Sequence, residues 1–423
     1  MSTYFYENKL FAPNQTGCRP GYSTQSAFLY LLQDIRSGIE NNQVTVLVSF
    51  DLKKAFDSVD HNILLFTLKQ YNLSNTALTL IHSYLSKRSQ AVLDENRIPS
   101  NYSTFTSGVP QGSSPAGLLF NIHINPIHTI LYYCKDSYLL FVGDFQIWLK
   151  CIPEHINYIV KSLNIEINNI NIWFKTHGVT INPLKTQAII IGTPNDIKLS
   201  HAKLTTKLII ENSIIPFSQS IKNLGLTIEN DLTWYKQFSS ISKKVYGTLH
   251  NLRNGAYSFP PHIKLLLANA LILPIIDYAC PCFCDISKVL DTKLNKMLNS
   301  ALRFVYNLKK YQLITPFRSK ARWLSAKNRR LFFCLTSLYL LIHHNTPPIL
   351  SKHLSKLTPS SRRTGRNTTS FYPLLSFPNS TQLEQSYIYY STQEYDRLPS
   401  SVKNSSSFDI FKNRLFNYLL ELE

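Results

Sequence analysis

Two carboxylates far apart in the chain are the residues best suited to chemistry together. Asp51 ends the apolar run Gln43-Val-Thr-Val-Leu-Val-Ser-Phe-Asp51, and Asp144 lies within Leu139-Leu-Phe-Val-Gly-Asp-Phe-Gln-Ile-Trp148. The first stretch is β-branched and continuous, the pattern of a buried strand. The second has two apolar arms around Gly143-Asp144, which reads as strand, two-residue turn, strand, with glycine supplying backbone freedom. An aspartate in a turn is ordinary turn chemistry. Two aspartates at a strand end and a hairpin turn also suit a hard cation such as Mg²⁺. In two-metal phosphoryl transfer one ion activates the attacking hydroxyl and the other steadies the leaving oxygen. From these residues alone both readings stand.

The elements that must position the pair follow from spacing. Residues 22–40 read as a helix with Ala27, Leu29, Leu32 and Ile35 on its apolar face. Asp60-His61 opens a helix running towards Leu68. A turn-rich loop, Gly108-Val-Pro-Gln-Gly112, precedes an apolar helix to about Ile130. Pro153 starts a helix with Ile156, Ile159, Val160, Leu163, Ile167 and Ile170 in step, ending near Gly178. Thr186 to Gly192 is a further strand. From residue 43 the order is strand, helix, hairpin, helix, strand. That is the split βαβ, ferredoxin-like arrangement with helices on one face, an α+β fold. In such a sheet the end of the first strand lies beside the hairpin turn, so Asp51 and Asp144 are expected to meet. Beyond residue 195 the chain turns helical, with helical spacing over Lys243–Arg253, Pro261–Tyr278 and Lys288–Val305. Residues 351–370 are basic and Ser/Thr-rich, the composition of a linker. Ser407 caps a last amphipathic helix bearing Phe408, Phe411, Leu415 and Leu419.

Composition sets the class of partner. At ~100–200 residues per domain, 423 residues suggest two or three units. Hydrophobic residues make up 44%, enough for sizeable cores. Lys and Arg outnumber Asp and Glu 44 to 25, and the net charge of +19 favours a polyanion, nucleic acid before membrane. Seven cysteines without paired spacing argue for a reducing, intracellular compartment, nucleus or cytoplasm, and against secretion. Cys280-x-Cys282-x-Cys284 lacks the usual zinc spacing and reads as packing. The N-terminal MSTYFYENKL is not a signal peptide, and the apolar run Leu265–Ile276 is too short for a bilayer and reads as a buried helix.

Several stretches, taken in order, resemble the reverse transcriptases of non-LTR (LINE-type, jockey-like) retrotransposons. Asn14-Gln-Thr-Gly-Cys-Arg-Pro-Gly-Tyr-Ser-Thr24 is similar to the block before the first palm motif, and Phe50-Asp-Leu-Lys-Lys-Ala-Phe-Asp-Ser-Val-Asp-His61 to that motif itself. Ser107-Gly-Val-Pro-Gln-Gly-Ser113 with Leu118-Leu-Phe120 resembles the second, and Gly178-Val-Thr-Ile-Asn-Pro-Leu-Lys-Thr186 the fourth. Lys222-Asn-Leu-Gly-Leu226 through Trp234 resembles the primer grip. Arg303, Pro347-Pro348, Tyr395-Asp-Arg-Leu-Pro399 and the stretch from Ser407 to Leu415 continue the likeness, so it covers nearly the whole chain.

The resemblance implies a right-hand polymerase fold. Residues 1–195 would hold partial fingers and the ferredoxin-like palm, 196–260 the primer grip and helical thumb, and 261–423 a mainly helical C-terminal region. It implies an RNA-directed DNA polymerase using an RNA template, a DNA primer, dNTPs and two Mg²⁺ ions. Asp51 and Asp144 would be metal ligands and Lys185 a group near the leaving pyrophosphate. Phe56 would reject a ribose 2′-OH, and Gln111 would contact the template–nucleotide pair. Gly108 and Gly112 would let backbone approach that pair, and Arg19 would touch the template. Phe56 as core, Gln111 as a turn residue and Lys185 as a solvated charge are the bland alternatives.

The sequence departs from the family at telling places. The hairpin slots hold Phe141, Val142, Gly143 and Asp144 where the family carries two aspartates, so Gly143 marks a vacated catalytic position. Loss of one carboxylate ligand predicts severely impaired polymerisation, because Mg²⁺ demands near-ideal octahedral geometry. Ser113-Ser-Pro-Ala-Gly117 replaces the family's Leu-Gly-Pro continuation and is expected to shift the following helix. The family's first fingers blocks and endonuclease would lie before the first residue of this sequence, so the resemblance implies an N-terminally truncated copy. Two other readings compete: a non-catalytic nucleic-acid-binding protein and a functionless relic. The stretch containing Lys309, Lys310, Arg318, Lys320, Arg322, Lys327, Arg329 and Arg330 could track a phosphate backbone or be a solvated helical face.

Overall fold

A computed structural model describes residues 1–255, 258–284, 286–354 and 381–423. The linker expected at 351–370 lies outside the described residues beyond Leu354. Two compact units divide the chain. One holds Met1–Ser23 and Val44–Ile221, the other Thr24–Gln43 and Lys222–Glu423. The helix Thr24–Glu40 therefore belongs with the second unit.

The first unit is built on a five-stranded antiparallel sheet. Its strands are β1 (Val44–Lys53), β2 (Tyr138–Phe141), β3 (Asp144–Cys151), β4 (Thr180–Ile181) and β5 (Gln187–Ile191); β2 pairs with β3 and β3 with β1, and both β4 and β5 pair with β1 on its other side. Helices α1 (His61–Gln70), α2 (Ala116–Ile124) and α3 (Ile156–Thr176) complete the split βαβ order read from the sequence. Asp60 caps α1 through its carboxylate, which accepts from Asn62 N at 2.8 Å and Ile63 N at 2.9 Å. In α3 the buried residues Ile156, Val160, Leu163, Ile167, Ile170 and Phe174 follow the helical stripe. Pro153 opens a short 3₁₀ turn, Pro153–His155, just before that helix. Pro126 ends α2 early, and a 3₁₀ segment, Asn125–Ile130, covers the rest of the predicted helix.

Val44, Val46, Val48 and Phe50 of β1 enter the same core as Leu163 and Ile167 of α3. Leu47, Trp148 and Ile189, on the alternate positions, are buried as well. Burial of both faces is why β1 reads as one continuous apolar run.

Two details differ from the sequence reading. β1 continues past Asp51, because Leu52 and Lys53 pair with Ile181 and Thr180. The hairpin turn is Val142-Gly143, and Asp144 is the first residue of β3, because Phe141 and Asp144 are direct partners. Val142 takes the left-handed backbone at φ 55°, and Gly143 does not. The demand for unusual backbone geometry thus falls on the valine.

The second unit is mainly helical. Its longer helices are Thr24–Glu40, Tyr235–Gly255, Pro261–Leu271, Lys288–Tyr306, Ala326–His344 and Phe408–Glu421. The single helix expected over 261–278 breaks at Ile272 before Pro274 and resumes as Leu273–Asp277. Nor is its apolar run a buried helix throughout, since Leu266 and Leu271 are exposed. Ser407 caps the last helix as expected, accepting from Ile410 N, and Phe411, Leu415 and Leu419 pack with Leu331, Leu335 and Tyr339. Cys280, Cys282, Cys284 and Cys334 are all buried, in keeping with a packing role. Half of the basic stretch, its four arginines, is committed inside this unit. Arg318 pairs with Glu423, Arg322 with Asn417, Arg329 with Asp277 and Arg330 with Asp291.

Candidate active site

Strand register brings the two aspartates together. Asp51 of β1 and Asp144 of β3 are Cα partners at the end of an eight-residue ladder that starts at Val44 and Cys151. Directly opposed residues project from one face with Cβ atoms ~5 Å apart. Their neighbours Phe50 and Phe145 point to the other face, where their rings stack with centroids 5.3 Å apart. Alternation therefore sends the aromatic pair into the core and leaves the carboxylate pair outside it.

Asp51 is half-buried and held from a third segment. Asn182 N donates to the Asp51 carbonyl at 2.7 Å, and Asn182 Nδ2 donates to Asp51 Oδ2 at 3.2 Å. Thr186 Oγ1 donates to Asn182 O at 2.8 Å, which closes the loop carrying Lys185. An open pocket of about 520 Å³ lies here, lined by Asp51, Lys53, Lys54, Ser58, Asn182 and Lys185 among others. Burial of its carboxyl and, after that, the like charge of Asp51 raise the Asp144 pKa. Asp144 is exposed by surface area, so water screens the pair and its cost to stability is small.

The hairpin turn is braced by the N-terminal block. Thr16 N donates to Leu140 O at 2.7 Å, Leu140 N donates to Asn14 O at 3.0 Å, and Gln15 bridges Leu140 in parallel. Gly17 lies so close that a Cβ there would sit 2.4 Å from Val142 N. At Gly143 a Cβ would meet only Ala55 Cβ at 3.4 Å, an ordinary contact.

The other expected site residues fall differently. Phe56 stacks on Phe120 with centroids 5.0 Å apart and is half-buried, so part of its role is packing. Gln111 is exposed in the loop before α2. Gly108 takes φ +91°, and its missing side chain admits Asp57, 2.8 Å from where a Cβ would stand. Its close approach is thus to the chain itself. Gly112 takes φ +81° with open space around it, the arrangement that leaves room for an outside group. Arg19 Nη1 donates to Ala12 O at 3.1 Å and Gln15 O at 2.7 Å, and its guanidinium lies 4.5 Å from the Tyr22 ring centre. These contacts make it a brace for the block that supports the turn. Lys185 is exposed at the pocket that holds Asp51. Ser113 Oγ donates to Pro110 O at 2.7 Å, and α2 begins directly after Pro115, three residues beyond Gly112.

Sequence reasoning missed Asn182, Lys53 and Lys54. All three stand in stretches with motif character, Gly178–Thr186 and Phe50–His61, but only the register of β1 against Thr180–Ile181 puts them at one pocket.

Comparison with known proteins shows the family. The reverse transcriptase (RNA-dependent DNA polymerase) family matches residues 2–228, more than half of the chain, and the chain belongs to that family. A protein described as a probable RNA-directed DNA polymerase from transposon BS of Drosophila melanogaster is 24% identical over 253 residues, 58% of this chain and 27% of that protein. One from the Drosophila melanogaster transposon X-element is 22% identical over 307 residues, 70% of this chain and 32% of that protein. The Pol polyprotein from a type-1 retrotransposable element R2 of Popillia japonica is 24% identical over 250 residues, 55% of this chain and 38% of that protein. The chain thus aligns with about a third of the length of these relatives, all from mobile elements, as a non-LTR reverse transcriptase should.

Proposed function

We propose that the chain carries the catalytic core of an RNA-directed DNA polymerase of a non-LTR retrotransposon, acting on an RNA template, a DNA primer and dNTPs. The observation that carries this reading is the register of Asp51 against Asp144 beside a lysine-lined pocket. Two carboxylates from adjacent strands suit Mg²⁺, which usually takes one or two carboxylates and fills its other positions with water and substrate phosphates. Such an ion would supply positive charge to the reacting phosphoryl oxygens. Lys53, Lys54 and Lys185 supply cations for a triphosphate, with Lys185 placed to protonate the departing pyrophosphate. Phe56 and Gln111 read the incoming nucleotide, and Gly112 leaves room for it.

Gly143 contributes no side-chain donor, so such an ion would be held by fewer protein ligands than the family uses. Polymerisation is therefore impaired by ~10²-fold or more, the usual scale for losing one electrostatic stabiliser. Nucleic-acid binding does not need that ligand and persists. The free thiols of all seven cysteines favour a reducing compartment, nucleus or cytoplasm. Among the described residues no helix is long and apolar enough to cross a membrane.

Primer extension on an RNA template with dNTPs and Mg²⁺ or Mn²⁺ tests the reading. Gly143→Asp should extend the primer, and Gly143→Asp/Asp51→Ala should not. Full extension by the unmodified chain would refute the role given to Gly143, and silence in Gly143→Asp would refute the polymerase reading of this chain.

A further inference from the structure

A second open pocket lies wholly within the helical unit, and the polymerase reading does not use it. It measures about 1020 Å³ and is walled by Arg253, Lys264, Arg303, Phe304, Lys310 and Tyr311, with no carboxylate among its described lining residues. That volume is at the upper end of the ~300–1,000 Å³ typical of small-ligand sites. Lys264 is buried, with Nζ 2.8 Å from Asn307 Oδ1 and 5.5 Å from the Phe304 ring centre. Arg303 Nη2 donates to Lys310 O at 3.0 Å, while its buried Nε has no hydrogen-bond partner. Tyr311 is 90% exposed, with Lys310 Nζ 5.4 Å from its ring centre.

Helix dipoles account for a cation in each C-terminal turn, Arg253 and Arg303 here. They do not account for Lys310, which follows the helix, or for Lys264, in the first turns of another. Four cations around one cavity repel one another, and a polyanion relieves that repulsion. An inorganic anion or an acidic peptide would use the cations but leave the exposed ring of Tyr311 without a role. A nucleotide strand uses both, its phosphates meeting the cations and a base stacking on the ring.

We propose that the Arg253–Lys264–Arg303–Lys310 pocket, with Tyr311 at its mouth, is a binding site for the backbone of single-stranded nucleic acid. The proposal rests on the nucleic-acid reading of the chain but not on catalysis.

The test is fluorescence anisotropy of short labelled oligo(rU) and oligo(dT) with the full chain, in EDTA, across a salt series. Each phosphate contact on a single strand contributes ~0.7 to the slope of log affinity against log salt. Arg253→Gln/Lys310→Gln should therefore lower the slope by ~1.4. Lys288→Gln/Lys412→Gln removes the same charge from exposed positions elsewhere in the unit and should leave it unchanged. Tyr311→Ala should weaken binding ~5-fold or more, with little change in slope. Equal slope changes in the two double variants would overturn the proposal, as would displacement of the oligomers by oligoglutamate at matched charge. Loss of primer extension in Gly143→Asp with the slope change intact would sink only the polymerase reading. An unchanged slope with active extension would sink only this site.

Discussion

Substituting Gly17 by alanine would place a methyl carbon 2.4 Å from Val142 N, 2.7 Å from Val142 Cγ2 and 3.0 Å from Phe141 C. Two of those three atoms are backbone, and the backbone is tied on both sides by the hydrogen bonds of Thr16 and Leu140. No rotamer change relieves the overlap, so the N-terminal block or the hairpin must move. Overpacking of this kind costs ~1–3 kcal/mol. The same substitution at Gly143 meets only Ala55 Cβ at 3.4 Å, with no left-handed backbone to oppose it. There the loss of unfolded-state entropy should stabilise by ~0.4–1 kcal/mol. For a unit of about two hundred residues, 1 kcal/mol moves the melting temperature by ~2–4 °C. Gly17→Ala should therefore melt ~2–12 °C lower than the parent and Gly143→Ala ~1–4 °C higher. Thermal unfolding followed by near-UV circular dichroism reads both. A Gly17→Ala protein that melts with the parent would refute the bracing role of the N-terminal block. A Gly143→Ala protein several degrees less stable would show that the turn needs glycine for steric reasons. The absence of a second aspartate would then be imposed by the backbone and not only a chemical loss.

Two further outcomes follow from the burial of titratable groups. His123 is fully buried with Nε2 3.0 Å from His177 O, and burial pulls its pKa down to about 4. The unfolded chain takes up that proton first, so the stability is present above pH ~6.5 and is lost as pH falls towards 4. At ~1.4 kcal/mol per pH unit the loss approaches ~3 kcal/mol. Urea unfolding at pH 7 and pH 4.5 should show it, and His123→Gln should flatten the difference. Burial raises the Asp277 pKa even though Arg329 pairs with it, Nη2 lying 2.5 Å from Oδ2. Arg329→Ala should cost up to ~3–5 kcal/mol in denaturant unfolding, because it leaves a half-buried carboxyl without its partner, whereas Asp277→Leu/Arg329→Met should recover most of that loss.

The sequence by itself determined what depends on near neighbours along the chain. The stripe from Ile156 to Phe174 and the caps at Asp60 and Ser407 are set by side chains within a few residues of each other. The order of strands and helices from residue 43 was legible for the same reason, and it was enough to foresee Asp51 beside Asp144. The ordered motifs carried the family. Tertiary structure alone decided what depends on register and on partners far away in sequence. It moved the turn by one residue to Val142-Gly143, since pairing of Phe141 with Asp144 sets where a hairpin closes. It turned Arg19 inward to Ala12 and Gln15, and gave four arginines of the basic stretch to Glu423, Asn417, Asp277 and Asp291. A cation's type is written in the sequence, but whether it meets a carboxylate or a pocket is fixed by which distant element packs against it.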